Sequence, residues 1–130
     1  MKIEKSHIIL FVDNQDISTA FYENLLLKKA DLNVKGMTEF HVNQQLTIGL
    51  MPSLGIDKIL DNQLKSPSGI NNVAKCELYL LIEDFENEYI RIKNSGVTLI
   101  SEAQPRDWGH TVAYFSDSDS NIIAIAKYTF

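Results

Sequence analysis

The sequence predicts an α+β fold built from two βαβββ modules. The first observation behind this prediction is an internal repeat: the apolar run that follows His7 returns seventy positions later, after Glu77. The second is the order of elements, because each run leads into an acidic turn, a helical pattern and three short strand-like segments. Two strand–helix units are therefore expected to share one plan.

The first module begins with the apolar run at residues 8–12, which has the length and bounds of a strand buried on both faces. Polar residues 13–16 offer candidates for a helix N-cap. The helix of about three turns that follows has one apolar stripe, formed by Ile17, Phe21 and Leu25. Three strands are predicted after it, at residues 31–35, 38–42 and 46–51.

Residues 52–74 interrupt this pattern. Pro and Gly punctuate the segment, and Ser66-Pro67-Ser68-Gly69 has the composition of an exposed linker. One or two helical turns are expected at residues 56–60. The predicted organisation is a single domain of residues 1–130, with the first module at about 1–51, a linker at about 52–74 and the second module at about 75–130.

The second module repeats the order of the first. A strand at residues 76–82 precedes a helical stripe of Phe85, Tyr89 and Ile92, and Gly96 suits the left-handed conformation that ends a helix. Three strands complete it, at residues 97–101, 110–116 and 122–128. The segments between them are predicted to be a loop at residues 104–109 and a tight turn at residues 117–121.

Composition excludes several classes of protein. With 130 residues, 45% hydrophobic and 22% charged, the chain fits a globular domain and not a disordered or fibrous one. A net charge of −5 and scattered Lys residues argue against nucleic acid and acidic membrane surfaces as partners. No signal peptide or membrane span is recognisable, and a single Cys suits a reducing cytoplasm. Cys76 is predicted to be an inert core thiol and not a nucleophile.

Alternation along the strands separates two faces in each module. The aliphatic faces, which the helices should cover, carry Ile8, Leu10 and Val12 in one module and Leu78, Leu80 and Ile82 in the other. The opposite faces carry His7, Ile9 and Phe11, and then Glu77, Tyr79 and Leu81. These second faces combine aromatic walls with a polar end, which is the usual composition of a ligand pocket.

Several of these features together resemble the vicinal oxygen chelate superfamily, which contains glyoxalases, bleomycin-resistance proteins and ring-cleaving dioxygenases. The matching residues are the first strand with His7, the helix residues Ser18, Phe21, Tyr22 and Leu25, the Trp108-Gly109-His110 loop, and the closing turn and strand at residues 117–125. The resemblance implies that the two modules form a cup-shaped, mostly antiparallel half-barrel with helices on the convex face.

The resemblance also implies where a metal would bind. Members that use a metal take ligands from the first and last strands of each half, and the matching positions here are His7, Ile48, Glu77 and Ala124. Ala124 stands where the metal enzymes usually carry Glu, so at most His7 and Glu77 could be ligands. Three readings of this pair stay open: a hydrogen-bonded structural pair, polar anchors for an organic ligand, or a metal site completed by other groups. The groups that could complete it are His41, His110, water or substrate.

Trp108 is the only Trp of the chain and lies in a loop beside Gly109 and near Arg106. It is predicted to be either a stacking platform for a planar ligand or a plug over the sheet edge. Trp-Gly in this loop is similar to the antibiotic-sequestering branch of the superfamily. His41 is expected to be structural, and His110 to lie at the rim or the surface.

The function predicted from the sequence is binding of a small organic molecule in the cup, with no cofactor, as in bleomycin-resistance-like proteins. The expected ligand-binding residues are His7, Ile9, Phe11, Ile48, Glu77, Tyr79, Trp108 and Ala124. A metal-dependent lyase, isomerase or dioxygenase with an altered ligand set is the alternative, and a non-catalytic dimeric scaffold is the third. A homodimer is expected, because an open half-barrel leaves sheet edges and apolar faces uncovered.

Overall fold

The computed structural model describes residues 1–64 and 73–130, which form eight strands and three helices. The chain divides into two compact units, Met1–Ile70 and Asn71–Phe130. We call the sheet of each unit, together with the helix that follows its first strand, the first and the second module. The predicted linker residues 66–69 lie outside the described part of the chain.

The first module contains a four-stranded sheet in the order β1-β4-β3-β2. Its elements are β1 (Ser6–Val12), α1 (Gln15–Leu26), β2 (Leu32–Val34), β3 (Met37–His41) and β4 (Leu46–Pro52), and α2 (Ser53–Ile59) follows. β1 and β4 pair in parallel, and the other two pairs are antiparallel. The chain passes from β1 to its parallel partner β4 through α1, β2 and β3, since parallel strands need a long crossover connection.

The second module repeats this topology, with the strand order β5-β8-β7-β6. Its elements are β5 (Glu77–Leu81), α3 (Phe85–Asn94), β6 (Thr98–Pro105), β7 (His110–Ser116) and β8 (Ile122–Tyr128). Again the first and last strands are parallel and the other pairs are antiparallel. The predicted α+β class, the two βαβββ modules and the mostly antiparallel pairing are confirmed, and neither sheet closes on itself.

Helix α1 packs on its sheet through a stripe that includes the predicted Leu25 but not the predicted Ile17. The side chain of Asn14 caps it by accepting a hydrogen bond from the backbone N–H of Ile17 at 3.0 Å. Tyr22 and Leu25 are buried, and the Tyr22 ring lies 6.3 Å from that of Phe40. Ile17 is 58% exposed, so its predicted place on the buried stripe is wrong.

The stripe predicted for α3 is confirmed. Phe85 and Ile92 are buried, and the Tyr89 ring meets Phe115 edge-on at 6.1 Å. In the first module Leu10 and Val12 are buried as expected, but Ile8 is 54% exposed. The helix-covered face of β1 therefore begins two residues later than the alternation suggested.

Two boundaries differ from the sequence prediction by several residues. Helix α2 begins at Ser53, where residues 56–60 were expected to be helical, and it buries Ser53 and Asp57. β6 continues through Pro105 into the predicted loop. Register shifts on either side of Ser101 interrupt its pairing with β7. An irregular strand of this kind has no simple alternation, so the apolar pattern could not mark its full length.

Cys76 lies just before β5 and is exposed, so its predicted position in a buried strand is wrong. Its Sγ donates to Asn121 Oδ1 at 3.4 Å. Partial burial of the sulfur raises the pKa of the Cys76 thiol, and the negative charge of Asp117 adds to this. A raised pKa favours the protonated thiol, which is a poor nucleophile.

The turn between β7 and β8 is held by one buried carboxylate. Asp117 accepts hydrogen bonds from the backbone N–H groups of Asp119 and Asn121 at 2.8 and 2.9 Å, and from the Asn121 side chain at 3.0 Å. Ser120 has a φ of 67°, in the left-handed region where glycine is preferred. This turn fixes where β8 starts, and so decides which residues of β8 oppose β7.

Replacing Ser120 with glycine should stabilise the protein. Relief of the left-handed strain outweighs the extra entropy of glycine in the unfolded chain, for a net gain of about 0.5–1 kcal/mol in the free energy of unfolding. Urea unfolding would measure the gain. Ser118→Gly is the matched control in the same turn, because Ser118 has no positive φ and should gain nothing. Equal effects of the two substitutions would contradict the strain at Ser120.

Candidate functional site

The face of the first module opposite helix α1 carries the predicted residues of β1. In the strand register His7 stands beside Thr47, Ile9 beside Gly49 and Phe11 beside Met51. The His7 Nδ1 atom lies 3.5 Å from Glu39 Oε2, and the two side chains are 40% and 21% exposed. His7, Ile9 and Phe11 share one face, as the alternation predicts.

Ile48 does not share that face. It is in register with Ile8 and Phe40 and is 1% exposed, within the core of the first module. The internal repeat shows which residue takes its place. Ile9 is opposite Gly49 in the first module, just as Tyr79 is opposite Ala124 in the second. The position equivalent to Ala124 is therefore Gly49, and the predicted position of Ile48 was one residue out of register.

The space above Gly49 is already filled. A Cβ atom added there would lie 2.5 Å from Ile9 Cδ1 and 3.1 Å from Met37 Sδ. Because Gly49 has no side chain, the ends of the Ile9 and Met37 side chains fill this space. In the described part of the chain, no nitrogen or oxygen atom of a side chain lies here to bind a metal.

The face of the second module opposite helix α3 is built on small residues flanked by aromatic ones. Tyr79, Ala124, Tyr114 and Ser101 form one row across four strands. Ala124 is fully buried with its neighbours Val112 and Ala126, and the rings of Tyr79 and Tyr114 pack against them. Methyl groups in the centre of the row leave room for the two rings to lie over the sheet.

Tyr79 of this row is joined by hydrogen bonds to two other aromatic side chains, His110 and Trp108. Tyr79 Oη lies 2.7 Å from His110 Nδ1, and Trp108 Nε1 donates to Tyr79 Oη at 3.0 Å. The His110 ring also meets the Tyr128 ring edge-on at 5.2 Å. Trp108 is 56% exposed, so its indole is held in place at its nitrogen while much of its surface meets solvent. Such a ring can stack on a ligand.

Arg106 occupies the other side of the row. Its guanidinium carbon lies 5.2 Å from the centre of the Tyr114 ring, and its Nη2 donates to Ser101 Oγ at 3.2 Å. Burial raises the pKa of the Tyr114 phenol and the negative charge of Glu77 adds to this, whereas the positive charge of Arg106 opposes it. The phenol therefore remains neutral at physiological pH.

The donor groups available for a metal are few. Glu77 is exposed at the first position of β5, and exposed His41 pairs with Asp31 at 3.7 Å between Nδ1 and Oδ1. Within residues 1–64 and 73–130, no three His, Cys, Asp or Glu side chains come together in a group that could hold a metal ion. Gly49 and Ala124 have no donor atoms in their side chains. This donor set does not fit the metal site of the metal-dependent members.

Three residues of this site have contacts that their sequence positions did not indicate. His110, expected at the rim, is bonded to Tyr79, while Arg106 and Tyr114 form a stacked pair. The position of Tyr114 could have been found from the sequence. Once the turn at residues 117–121 pairs Ser116 with Ile122, counting back along the hairpin places Tyr114 opposite Ala124.

Comparison with known proteins decides the family. The family model described as the glyoxalase-like domain matches residues 5–128. The chain belongs to the glyoxalase-like family. The predicted superfamily is thereby confirmed, and the family is of the glyoxalase, bleomycin-resistance and dioxygenase type. No curated protein matches the chain.

Solved structures of low sequence identity have the same fold. A glyoxalase/bleomycin resistance protein/dioxygenase from Nocardioides is 12% identical, with a TM-score of 0.83 over 98% of this chain and 85% of that one. A family enzyme from Burkholderia phytofirmans is 16% identical, with a TM-score of 0.77 over 95% and 97%. The fosfomycin resistance protein FosX from Listeria monocytogenes is 22% identical, with a TM-score of 0.66 over 100% and 97%.

No helix in the described ranges, 1–64 and 73–130, is long and apolar enough to cross a membrane.

Proposed function

We propose that this glyoxalase-like protein binds a small planar or aromatic organic molecule without a metal. The observation that carries the proposal is the chain of Trp108, Tyr79 and His110 beside the buried alanines of the second module. Their mutual hydrogen bonds hold polar atoms and ring faces in fixed directions, which lowers the entropy lost when a ligand binds. His7, Ile9, Phe11 and Glu77 remain predicted contacts of the ligand.

The composition of this face supports binding over metal chemistry. A large exposed indole offers stacking area, and His110 and Tyr79 offer hydrogen bonds to the edge of a planar molecule. The two positions that should supply carboxylates or imidazoles from the last strands, Gly49 and Ala124, hold a hydrogen atom and a methyl group. Substrate polarisation by a bound ion would need donors there.

One observation favours the metal-dependent alternative. The His7 Nδ1 and Glu39 Oε2 atoms lie 3.5 Å apart on the face of the first module opposite α1, and both side chains are of a type that can bind a metal. Elemental analysis of the purified protein tests it. We expect no divalent metal at one per chain. A stoichiometric ion that is lost in His7→Ala would establish the alternative in place of the proposal.

The proposal is tested with the fluorescence of the single Trp. Because Trp108 is the only indole, the indole emission reports on the surroundings of Trp108. A panel of planar aromatic compounds should include some that shift the emission saturably and raise the melting temperature. Failure of the whole panel in both measurements would contradict binding and favour the dimeric scaffold, the third function considered.

We also propose that the protein is a homodimer. In the second module Leu81 and Tyr128 are 42% and 67% exposed, and exposed apolar side chains of this kind mark a binding or subunit interface. Two-fold pairing is the commonest way to cover one. Light scattering at micromolar concentration should give twice the 14.7 kDa of one chain, whereas the mass of one chain would refute the dimer.

A further inference from the structure

One polar atom in this site is without a partner. Among the residues that the structure describes, Arg106 Nε is the one buried side-chain nitrogen or oxygen with no hydrogen bond. An unpaired buried N–H is unfavourable by about 1–3 kcal/mol, so it calls for a structural or functional explanation. Arg106 also forms no ion pair with any carboxylate in the described ranges, although its neighbour along the chain is Asp107.

The free atom lies on the edge of the guanidinium that binds oxyanions in pairs. In arginine the Nε–H and one Nη2–H point the same way, and together they match the two oxygens of a carboxylate. Here Nη2 already donates to Ser101 Oγ at 3.2 Å, and Ser101 Oγ in turn lies 3.4 Å from the Glu102 carbonyl oxygen. The Tyr114 ring supports the guanidinium at 5.2 Å. Ser101 and the Tyr114 ring thus hold the Nε–Nη2 edge of the guanidinium in place, and the Nε–H donor on this edge has no acceptor.

We propose that Arg106 binds the anionic group of the ligand, so that the molecule bound by this face is a planar or aromatic organic acid. The inference rests on the function proposed above and specifies its ligand class. Arg106 as a whole is only partly buried, so a small rotation of the guanidinium presents the Nε edge to an incoming carboxylate. The aromatic part of the same molecule would meet the exposed indole of Trp108.

The positive charge of Arg106, and not the net charge of the protein, is what attracts this acid. The chain carries a net charge of −5, which disfavours anions at long range. A stacked, partly desolvated guanidinium with no carboxylate partner is nonetheless a strong local site for an oxyanion. We therefore expect Arg106, which lies against the Tyr114 ring, to determine how much more tightly an acid binds than its neutral analogue.

The test compares three acids with their neutral amides. Benzoate, 2-naphthoate and indole-3-acetate are titrated calorimetrically into the wild-type protein at pH 7, beside benzamide, 2-naphthamide and indole-3-acetamide. We expect at least one acid to bind about tenfold or more tightly than its amide. Arg106→Met should remove this preference, and Arg106→Lys, which keeps the charge but lacks the paired edge, should retain only part of it.

Each outcome decides between the two proposals. Equal affinities for acid and amide, or a preference that survives Arg106→Met, would overturn the role of Arg106 and leave the proposed binding function in place. If none of the six compounds binds, the acid-binding role of Arg106 fails, and the fluorescence panel described above decides the proposed binding function separately. Because Arg106→Met could affect folding, the wild-type protein provides a second measurement. The Arg106 Nε–H signal in a ¹⁵N-edited NMR spectrum should shift on addition of the acid and not of the amide.

Discussion

Replacing Ala124 with glutamate should lower the free energy of unfolding by about 3–5 kcal/mol, one of the largest effects expected in this chain. Ala124 is fully buried, and the rings of Tyr79 and Tyr114 pack against its cluster. A longer, ionised side chain would have to displace a ring and lose its hydration. The melting temperature should fall by roughly 10–20 °C.

Ala20→Glu is the matched control, because Ala20 is exposed on helix α1 and should tolerate the same change at little cost. Thermal unfolding and urea unfolding measure both variants. If Ala124→Glu were as stable as the wild type, or became so on adding a divalent metal, the face would be open enough to take a metal ligand. The metal-dependent alternative would then gain over simple binding.

The second large effect concerns the Tyr79 hydroxyl. Tyr79→Phe keeps the ring but leaves His110 Nδ1 and Trp108 Nε1 without the oxygen that joins them. Because both rings lose the contact that fixes their direction, the affinity for a bound aromatic compound should fall about tenfold, equivalent to about 1.4 kcal/mol. Titration monitored by Trp108 fluorescence gives the change directly.

Tyr128→Phe provides the control for that experiment. Tyr128 contacts the same His110 ring edge-on, at 5.2 Å, through its ring and not through its hydroxyl. Its phenylalanine variant should therefore bind the same compound within about twofold of the wild type. An unchanged affinity in Tyr79→Phe, or an equal loss in both variants, would contradict the positioning role of the Tyr79 hydroxyl.

The fold could be predicted from the sequence because the repeat carries it. The two apolar runs after His7 and Glu77 became the parallel first strands of the two sheets, each followed by a helix and three strands. Apolar stripes were a poorer guide for α1. Its buried side includes Ser18 and Thr19, and Thr19 Oγ1 bonds Thr38 Oγ1 at 2.8 Å. Hydrophobicity alone cannot reveal a helix face that is held partly by hydroxyl groups.

The candidate site was predictable only where a local turn fixes the register. Ala124 was placed correctly on the face of Tyr79, because the turn held by Asp117 determines where β8 begins. Ile48 was misplaced by one residue. β4 pairs in parallel with β1, and no single short turn joins the two strands and sets their offset. A shift of one residue exchanges the two faces of a strand.

The hydrogen bonds of the site could not be predicted from the sequence pattern. Trp108 and Tyr79 are 29 positions apart, and His110 and Tyr79 are 31 apart, so neither periodicity nor motif spacing links them. The unpaired Arg106 Nε likewise becomes visible only when every buried donor is checked for an acceptor.

Metal-free ligand binding is tested most directly by one titration. The protein is treated with a chelator until elemental analysis finds no divalent metal, and then titrated with the aromatic panel while Trp108 emission is followed. Our account predicts a saturable change in emission, with the same affinity before and after chelation. A response that disappears on chelation and returns with one metal ion per chain would contradict it.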